Sequence, residues 1–305
     1  MRYLVTGAAG FIGSQLLRTL RERGHDAVGW DAFTDYYDPA LKAENARDLP
    51  VERVDVAEDD LDLTGFDGVF HLAGQPGVAS FGQVFPVYVR QNVLASQRLF
   101  EAAAGAGTRV VFASSSSVYG DAEAYPTPED TTPAPISPYG ITKLACEHLA
   151  HAYRSELGLD VVTVRYFTIF GPRQRPDMAF TRMVSCLVEG RAFELYGDGT
   201  QSRSFTYVDD AVEATMLAME RADSGAVLNV GGGEEVSMLD AIETLGRISG
   251  RRLELVSAPR RLGDSRRTAA DTTRIRDALG WEARTPFEEG LAAQWRWAAA
   301  RVAAA

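Results

Sequence analysis

Residues 4–13 read Leu-Val-Thr-Gly-Ala-Ala-Gly-Phe-Ile-Gly, an apolar run that meets glycines at 7, 10 and 13. The run predicts a buried strand, and Gly13 to Arg23, with Leu16, Leu17 and Leu20 on one face, predicts a helix. Gly7 permits a tight turn, Gly10 lets the backbone approach a pyrophosphate, and Gly13 lets helix and strand pack closely. The free N–H groups of the helix start then face the phosphates. The spacing is GxxGxxG rather than GxGxxG.

Outward from this turn, Ala27 to Trp30 predicts a second strand that ends at Asp31. A carboxylate there accepts ribose hydroxyls and repels a 2′-phosphate, which favours NAD over NADP. Further strands are expected at Val69–Ala73, Arg109–Ala113 and Val161–Tyr166, with a helix over Val89–Ala104. Alternating units of this length predict an α/β fold, a Rossmann doubly wound parallel sheet covered on both faces. The rhythm changes after Tyr166. We expect a dinucleotide-binding domain over residues 1–165 and a smaller C-terminal substrate-binding domain over 166–305, part of 205–230 returning to the sheet. The polar stretch Asp35 to Asp60 reads as a surface excursion, and Trp295 and Trp297 as packing for a C-terminal helix.

Composition narrows the function. The net charge of −11 disfavours sequence-independent nucleic-acid binding, which needs many cations. No stretch approaches the roughly 20 apolar residues of a membrane span. Cys146 and Cys186 lack metal-ligand spacing, so neither a zinc site nor any other metal is expected. The N-terminal strand leaves no room for a signal peptide, and a cytoplasmic location is expected.

Tyr139 and Lys143 lie four apart in SPYGITK, after a proline suited to a first helical turn. That spacing puts phenol and ammonium on one helix face. A free phenol is a poor base at neutral pH, and nearby positive charge favours its phenolate. Such a phenolate can take an alcohol proton as hydride leaves the same carbon. The serine run Ser114 to Ser117 follows a strand, at the ligand edge of a doubly wound sheet. His71 ends a strand near the same edge and reads as structural.

Together GAAGFIG, HLAGQPGV, SSSSVYG, SPYGITK, RYFTIFGP, YGDGTQSRSFTYVDD and LNVGGG resemble, in order and along the whole chain, the extended short-chain dehydrogenase/reductase family and its nucleotide-sugar epimerases. DAFTDYYDPALK, ASSSSVYG, Thr168 in FTIFGP and GPRQRPDMAF look most like the UDP-glucuronate 4-epimerases of that family. Dehydratases of the family carry an Asp-Glu pair where Ser116 and Ser117 stand, and decarboxylases a Glu at the position of Ser117.

The resemblance implies a 4-epimerase of a UDP-sugar. Tyr139, Lys143 and Ser115 would be catalytic. NAD would be held by Gly7, Gly10, Phe11, Ile12, Gly13, Asp31, Asp55, Val56, Leu72, Ala73, Gly74, Asn92, Tyr139, Lys143 and Tyr166. Asp55 reads equally as an adenine contact or a solvated strand end. Gly74 stands where relatives usually carry Ala. The sugar nucleotide would meet Ser115, Ser116, Ser117, Thr168 and Arg175, with Arg203 and Arg266 on the phosphates. Tyr196 would pack on uracil or in the core. A homodimer through the Val89–Ala104 and Tyr139–Leu157 helices is implied as well. The rival readings are an epimerase of neutral UDP-hexoses, opposed by Thr168 in place of Asn; a UDP-glucuronate decarboxylase, opposed by Ser117; and a non-catalytic NAD sensor, opposed by the intact Ser115, Tyr139 and Lys143.

Overall fold

The computed structural model describes residues 1–78 and 81–304. Its first half alternates strands and helices: β1 (Arg2–Thr6), α1 (Phe11–Glu22), β2 (Asp26–Asp31), α2 (Pro39–Asn45), β3 (Val51–Arg53) and β4 (Gly68–His71). A long helical stretch follows, built from α3 (Phe85–Tyr88), a π-helical segment (Val89–Leu94) and α4 (Ala95–Ala106). Then come β5 (Arg109–Ser115), α5 (Pro138–Leu157) and β6 (Val161–Tyr166).

These strands form one parallel sheet in the order β3-β2-β1-β4-β5-β6, and β10 (Val227–Val230) joins beyond β6 as its seventh strand. The order reverses between β1 and β4, which opens a crevice at the strands' carboxyl ends. The glycine turn after β1 and the Leu72–Gly74 segment after β4 both enter it. Every residue of β6 is buried, as expected for a strand covered on both faces. One core layer joins Leu16, Leu17, Leu20, Val164 and Met216; the opposite layer joins Leu99, Phe100, Phe112 and Cys146.

The remaining elements are β7 (Thr168–Phe170), α6 (Ala179–Glu189), β8 (Phe193–Tyr196), β9 (Ser202–Tyr207), α7 (Val208–Arg221), β11 (Glu235–Ser237), α8 (Met238–Ser249), β12 (Leu255–Ala258), β13 (Arg267–Thr268), α9 (Thr273–Leu279) and α10 (Phe287–Ala304). Strand β9 pairs with β7, β11 and β13, and β8 pairs with β12. A separate aromatic core of Phe170, Phe180, Phe205 and Phe287 holds this region together.

Two sequence expectations change. The Asp35–Asp60 stretch is more than an excursion: it contains α2 and the edge strand β3. Its polarity belongs to α2, whose Asp38 caps Ala40 N–H, and to a strand of which only Val51 is not exposed. The helix expected from Val89 begins at Phe85, and its π segment carries the buried Asn92. Asn92 Nδ2 donates to Gln75 O (3.1 Å) and Thr142 Oγ1 (3.0 Å), tying the helix to its neighbours. Trp295 packs on the aromatic core, whereas Trp297 faces a cavity.

Candidate active site

Two adjoining cavities, of about 200 and 470 Å³, meet at the carboxyl end of the sheet. Phe11, Ile12, Ser114, Tyr139, Tyr166 and Arg175 line both, so these side chains stand at the junction.

The smaller cavity starts at the glycine turn. Gly7 has φ of +70°, and a Cβ there would lie 2.8 Å from Ala73 N. A Cβ on Gly13 would fall 2.1 Å from Gly7 O, inside van der Waals contact. Only glycine permits this closeness, which brings the start of α1 into the crevice. No side chain caps that helix, so its first N–H groups remain for a ligand. Asp31 is buried; Oδ2 accepts from Ala9 N–H (3.0 Å) and Oδ1 from Phe33 N–H (2.7 Å). Those bonds fix the carboxylate on the cavity wall. Asp55 also lines the wall, with its charge met by Arg90 at 2.8 Å; Val56, Leu72, Ala73 and Gly74 complete this side. A flat apolar trough, a close-packed glycine turn, open N–H groups and a fixed carboxylate fit a dinucleotide.

Asn92 is not on that wall. It lies behind it, with Oδ1 accepting from Gln75 N–H at 2.7 Å. A Cβ on Gly74 would sit 2.8 Å from that oxygen, so Asn92 shapes the wall at one remove. His71 is fully buried, bonded to Thr6 Oγ1 (2.8 Å) and Ser96 Oγ (3.0 Å). Burial, reinforced by the Lys143 charge, pushes its pKa down to about 3. It is a neutral packing group outside the cavities.

Helix α5 presents the reacting face. Ser137 caps it by accepting from Gly140 N–H at 3.1 Å, and Pro138 opens its first turn. Lys143 is buried and donates to Ala113 O at 2.8 Å, which pins the ammonium to the end of β5. Tyr139 is half-buried and faces both cavities, and its hydroxyl makes no hydrogen bond among the described residues. Beyond β5, Ser115 Oγ accepts from Ser117 N–H and donates to Ser117 Oγ, both at 3.1 Å. This short turn aims Ser115, Ser116 and Ser117 into the larger cavity, where Thr168 joins them. Ser114, missed as a site residue, also lines both cavities; its Oγ donates to Glu147 (2.5 Å), the buried partner of Arg165 (2.6 Å). Tyr166 lines the junction with its hydroxyl turned to Thr215 (2.6 Å), and burial raises its pKa.

Arg175 and Arg203 line the larger cavity, each beside a carboxylate: Arg175 with Asp177 at 3.0 Å, Arg203 with Asp264 at 2.8 Å. Arg266 is exposed and does not line it; Arg261 does. The Arg261 guanidinium stacks 3.9 Å above the Tyr196 ring and donates to its hydroxyl at 2.7 Å. Tyr196 thus supports an arginine at the rim and is not part of the cavity wall. Four arginines at 260, 261, 266 and 267 look alike in sequence, and only the course of the loop separates them. Tyr36, Tyr37 and Lys42, from the DAFTDYYDPALK segment, and Gln91 also reach the smaller cavity.

No group of three or more His, Cys, Asp or Glu residues that could hold a metal occurs among the described residues, and no helix among them is long and apolar enough to cross a membrane.

Comparison with known proteins agrees with this geometry. The chain is 38% identical to a UDP-glucose 4-epimerase of Mycolicibacterium smegmatis over 96% of each chain. It superposes with a TM-score of 0.94 on the UDP-glucuronic acid 4-epimerase of Bacillus cereus, solved with UDP-glucuronic acid and NAD; the two are 38% identical over 98% of this chain and 99% of that one. MoeE5, solved with UDP-glucuronic acid and NAD, is 43% identical over 99% of this chain and 100% of its own, with a TM-score of 0.89. The model of the NAD dependent epimerase/dehydratase family matches residues 3–231, and the chain belongs to that family.

Proposed function

We propose that this protein interconverts UDP-glucuronate and UDP-galacturonate by inverting the sugar's 4-hydroxyl. The observation that carries the reading is the wall beside Tyr139: Ser115, Ser116, Ser117 and Thr168 line it with neutral hydroxyls. The likeness to structures solved with UDP-glucuronic acid supports it.

NAD, seated between the glycine turn, Asp31 and Lys143, would take the hydride from C4 and return it. Tyr139 Oη removes the proton of the 4-hydroxyl; the 4-keto sugar then turns so that the hydride would return to the other face of C4, and Tyr139 gives the proton back to the 4-oxygen. Lys143, held by Ala113 O, keeps positive charge beside the phenolate. Ser115 Oγ orients the 4-oxygen. The keto form of a uronate is a β-keto acid, which loses carbon dioxide when the breaking bond aligns with the carbonyl π system. Donors from Ser116, Ser117 and Thr168 hold the carboxylate away from that alignment. Arg203 and Arg261 bind the pyrophosphate, exchanging intramolecular partners for phosphate oxygens.

Incubating the protein separately with UDP-glucuronate and UDP-glucose, then analysing nucleotide sugars and carbon dioxide, tests this. Conversion of UDP-glucuronate without carbon dioxide release is expected, and joint replacement of Ser117 and Thr168 by Ala should raise that release. Conversion of UDP-glucose alone would favour the neutral-hexose reading, which MoeE5 keeps in view because it is also solved with UDP-glucose and NAD.

We assign a homodimer through α5 and the π-α4 helical stretch, on which Leu94 and Ile141 are exposed. Two buried free cysteines and the family's nucleotide substrates support a cytoplasmic site of action.

A further inference from the structure

A cavity of about 210 Å³ lies behind the cleft, between α2, the loop after β7, α6 and α10. Its walls join apolar side chains, among them Leu41, Val184, Val188 and the aromatic Tyr37 and Trp297, to polar and charged ones. Its charged residues are unevenly matched. Arg175 is paired with Asp177, Arg301 with Glu44, and Glu189 with Arg191. Arg173, also in the wall, has neither a hydrogen bond nor an ion pair among the described residues.

Arg173 is unusual in its backbone too. Its φ is +65°, a left-handed conformation that costs a residue with a Cβ. Strain of this kind persists where the surroundings impose it, often at ligand sites. Arg18 stands beside it, and Arg18 Nε is buried with no hydrogen-bond partner. Burial, then Arg18 and Arg301, hold the Arg173 guanidinium below the ordinary arginine range, despite Glu44 and Asp209. The cavity therefore carries an undercompensated positive charge in a wall that also holds Tyr37 and Trp297.

We propose that this cavity is a second binding site, for a compact organic anion with a flat apolar body, gripped by Arg173 and packed against the apolar part of a wall that includes Tyr37 and Trp297. Neither the cofactor nor the sugar nucleotide is needed for this assignment. A phosphate or carboxylate head would supply the missing counter-charge, and a ring would bury against the apolar side chains Leu41, Val184 and Val188.

Calorimetric titration of the purified NAD-loaded protein with phenyl phosphate tests it. Saturable binding is expected, weakened about ten-fold or more in Arg173→Gly, the loss of a charge-assisted hydrogen bond. Glycine accepts φ of +65° without strain, so this variant should keep the parent's melting temperature. Arg203→Ala, in the cleft, should bind phenyl phosphate as the parent does. Inorganic phosphate should bind more weakly than phenyl phosphate. Absence of binding, unchanged affinity in Arg173→Gly, or loss of binding in Arg203→Ala alone would overturn the site. Equal affinity for both anions would overturn the flat apolar body.

Discussion

The two walls of the cleft are built by different means. The cofactor wall is backbone brought close by glycines, and its buried carboxylate, Asp31, is bonded to two main-chain N–H groups. The sugar wall is side chains from residues 114–117, 168, 175, 203 and 261, gathered from five segments, and its arginines already hold Asp177 and Asp264. The first wall is preorganised by local geometry, so its ligand meets a finished surface. The second must trade internal ion pairs for ligand contacts, so part of its affinity goes into breaking them.

Breaking the chemistry common to both walls should have the largest effect. Tyr139→Phe removes the only group proposed to carry the 4-hydroxyl proton. Turnover should fall by about 10²–10⁴-fold with NAD still bound, read by product formation and by cofactor absorbance of the purified protein. Retained turnover would dissociate this tyrosine from the reaction.

On the sugar wall, Arg203→Ala should raise KM by roughly 10- to 100-fold, the range for losing a hydrogen bond to a charged group. Asp264, left without its partner, would add repulsion toward a pyrophosphate. Steady-state kinetics at fixed NAD check this, and a change in kcat alone would contradict it.

On the cofactor wall, Gly13→Ala places a methyl group where Gly7 O already sits. Overpacking of this kind costs about 1–3 kcal/mol. Both stability and NAD retention should drop together, whereas Arg203→Ala should leave the melting temperature near the parent's. If Gly13→Ala kept both, the cofactor wall would be no more rigid than the sugar wall.

The smallest effect concerns His71, beneath the cofactor wall. Its folded pKa lies near 3, below the unfolded value near 6.5. Between those values the unfolded chain binds the extra proton, so stability rises with pH. It is full above about pH 6.5 and declines by at most about 1.4 kcal/mol per unit as pH falls toward 3. Denaturant melts from pH 7 to 5 should show this slope, and His71→Asn should reduce it.

Much of the cofactor wall was legible before the fold was known. Gly7, Gly10, Gly13 and Asp31 follow from the requirements of one strand-turn-helix unit, and Tyr139 and Lys143 from the helical repeat. Asn92 entered only as an NAD contact implied by the resemblance. Its burial in a π-helical segment, bonded to Gln75 and Thr142, depends on packing between two helices. Lys42 and Tyr37 sat in a stretch too polar to announce an edge strand. The resemblance implied Arg266, and the cavity wall instead holds Arg261.

The sequence by itself determined the turn, the order of strands and helices, and the shared face of the reacting pair, because backbone dihedrals and periodicity are local properties. Only the tertiary structure decided which arginines reach the cleft, which carboxylates hold them and where Arg173 is left without a counter-ion. Those outcomes depend on distances between segments far apart in the chain, and charge pairing is set by distance and burial rather than by residue type.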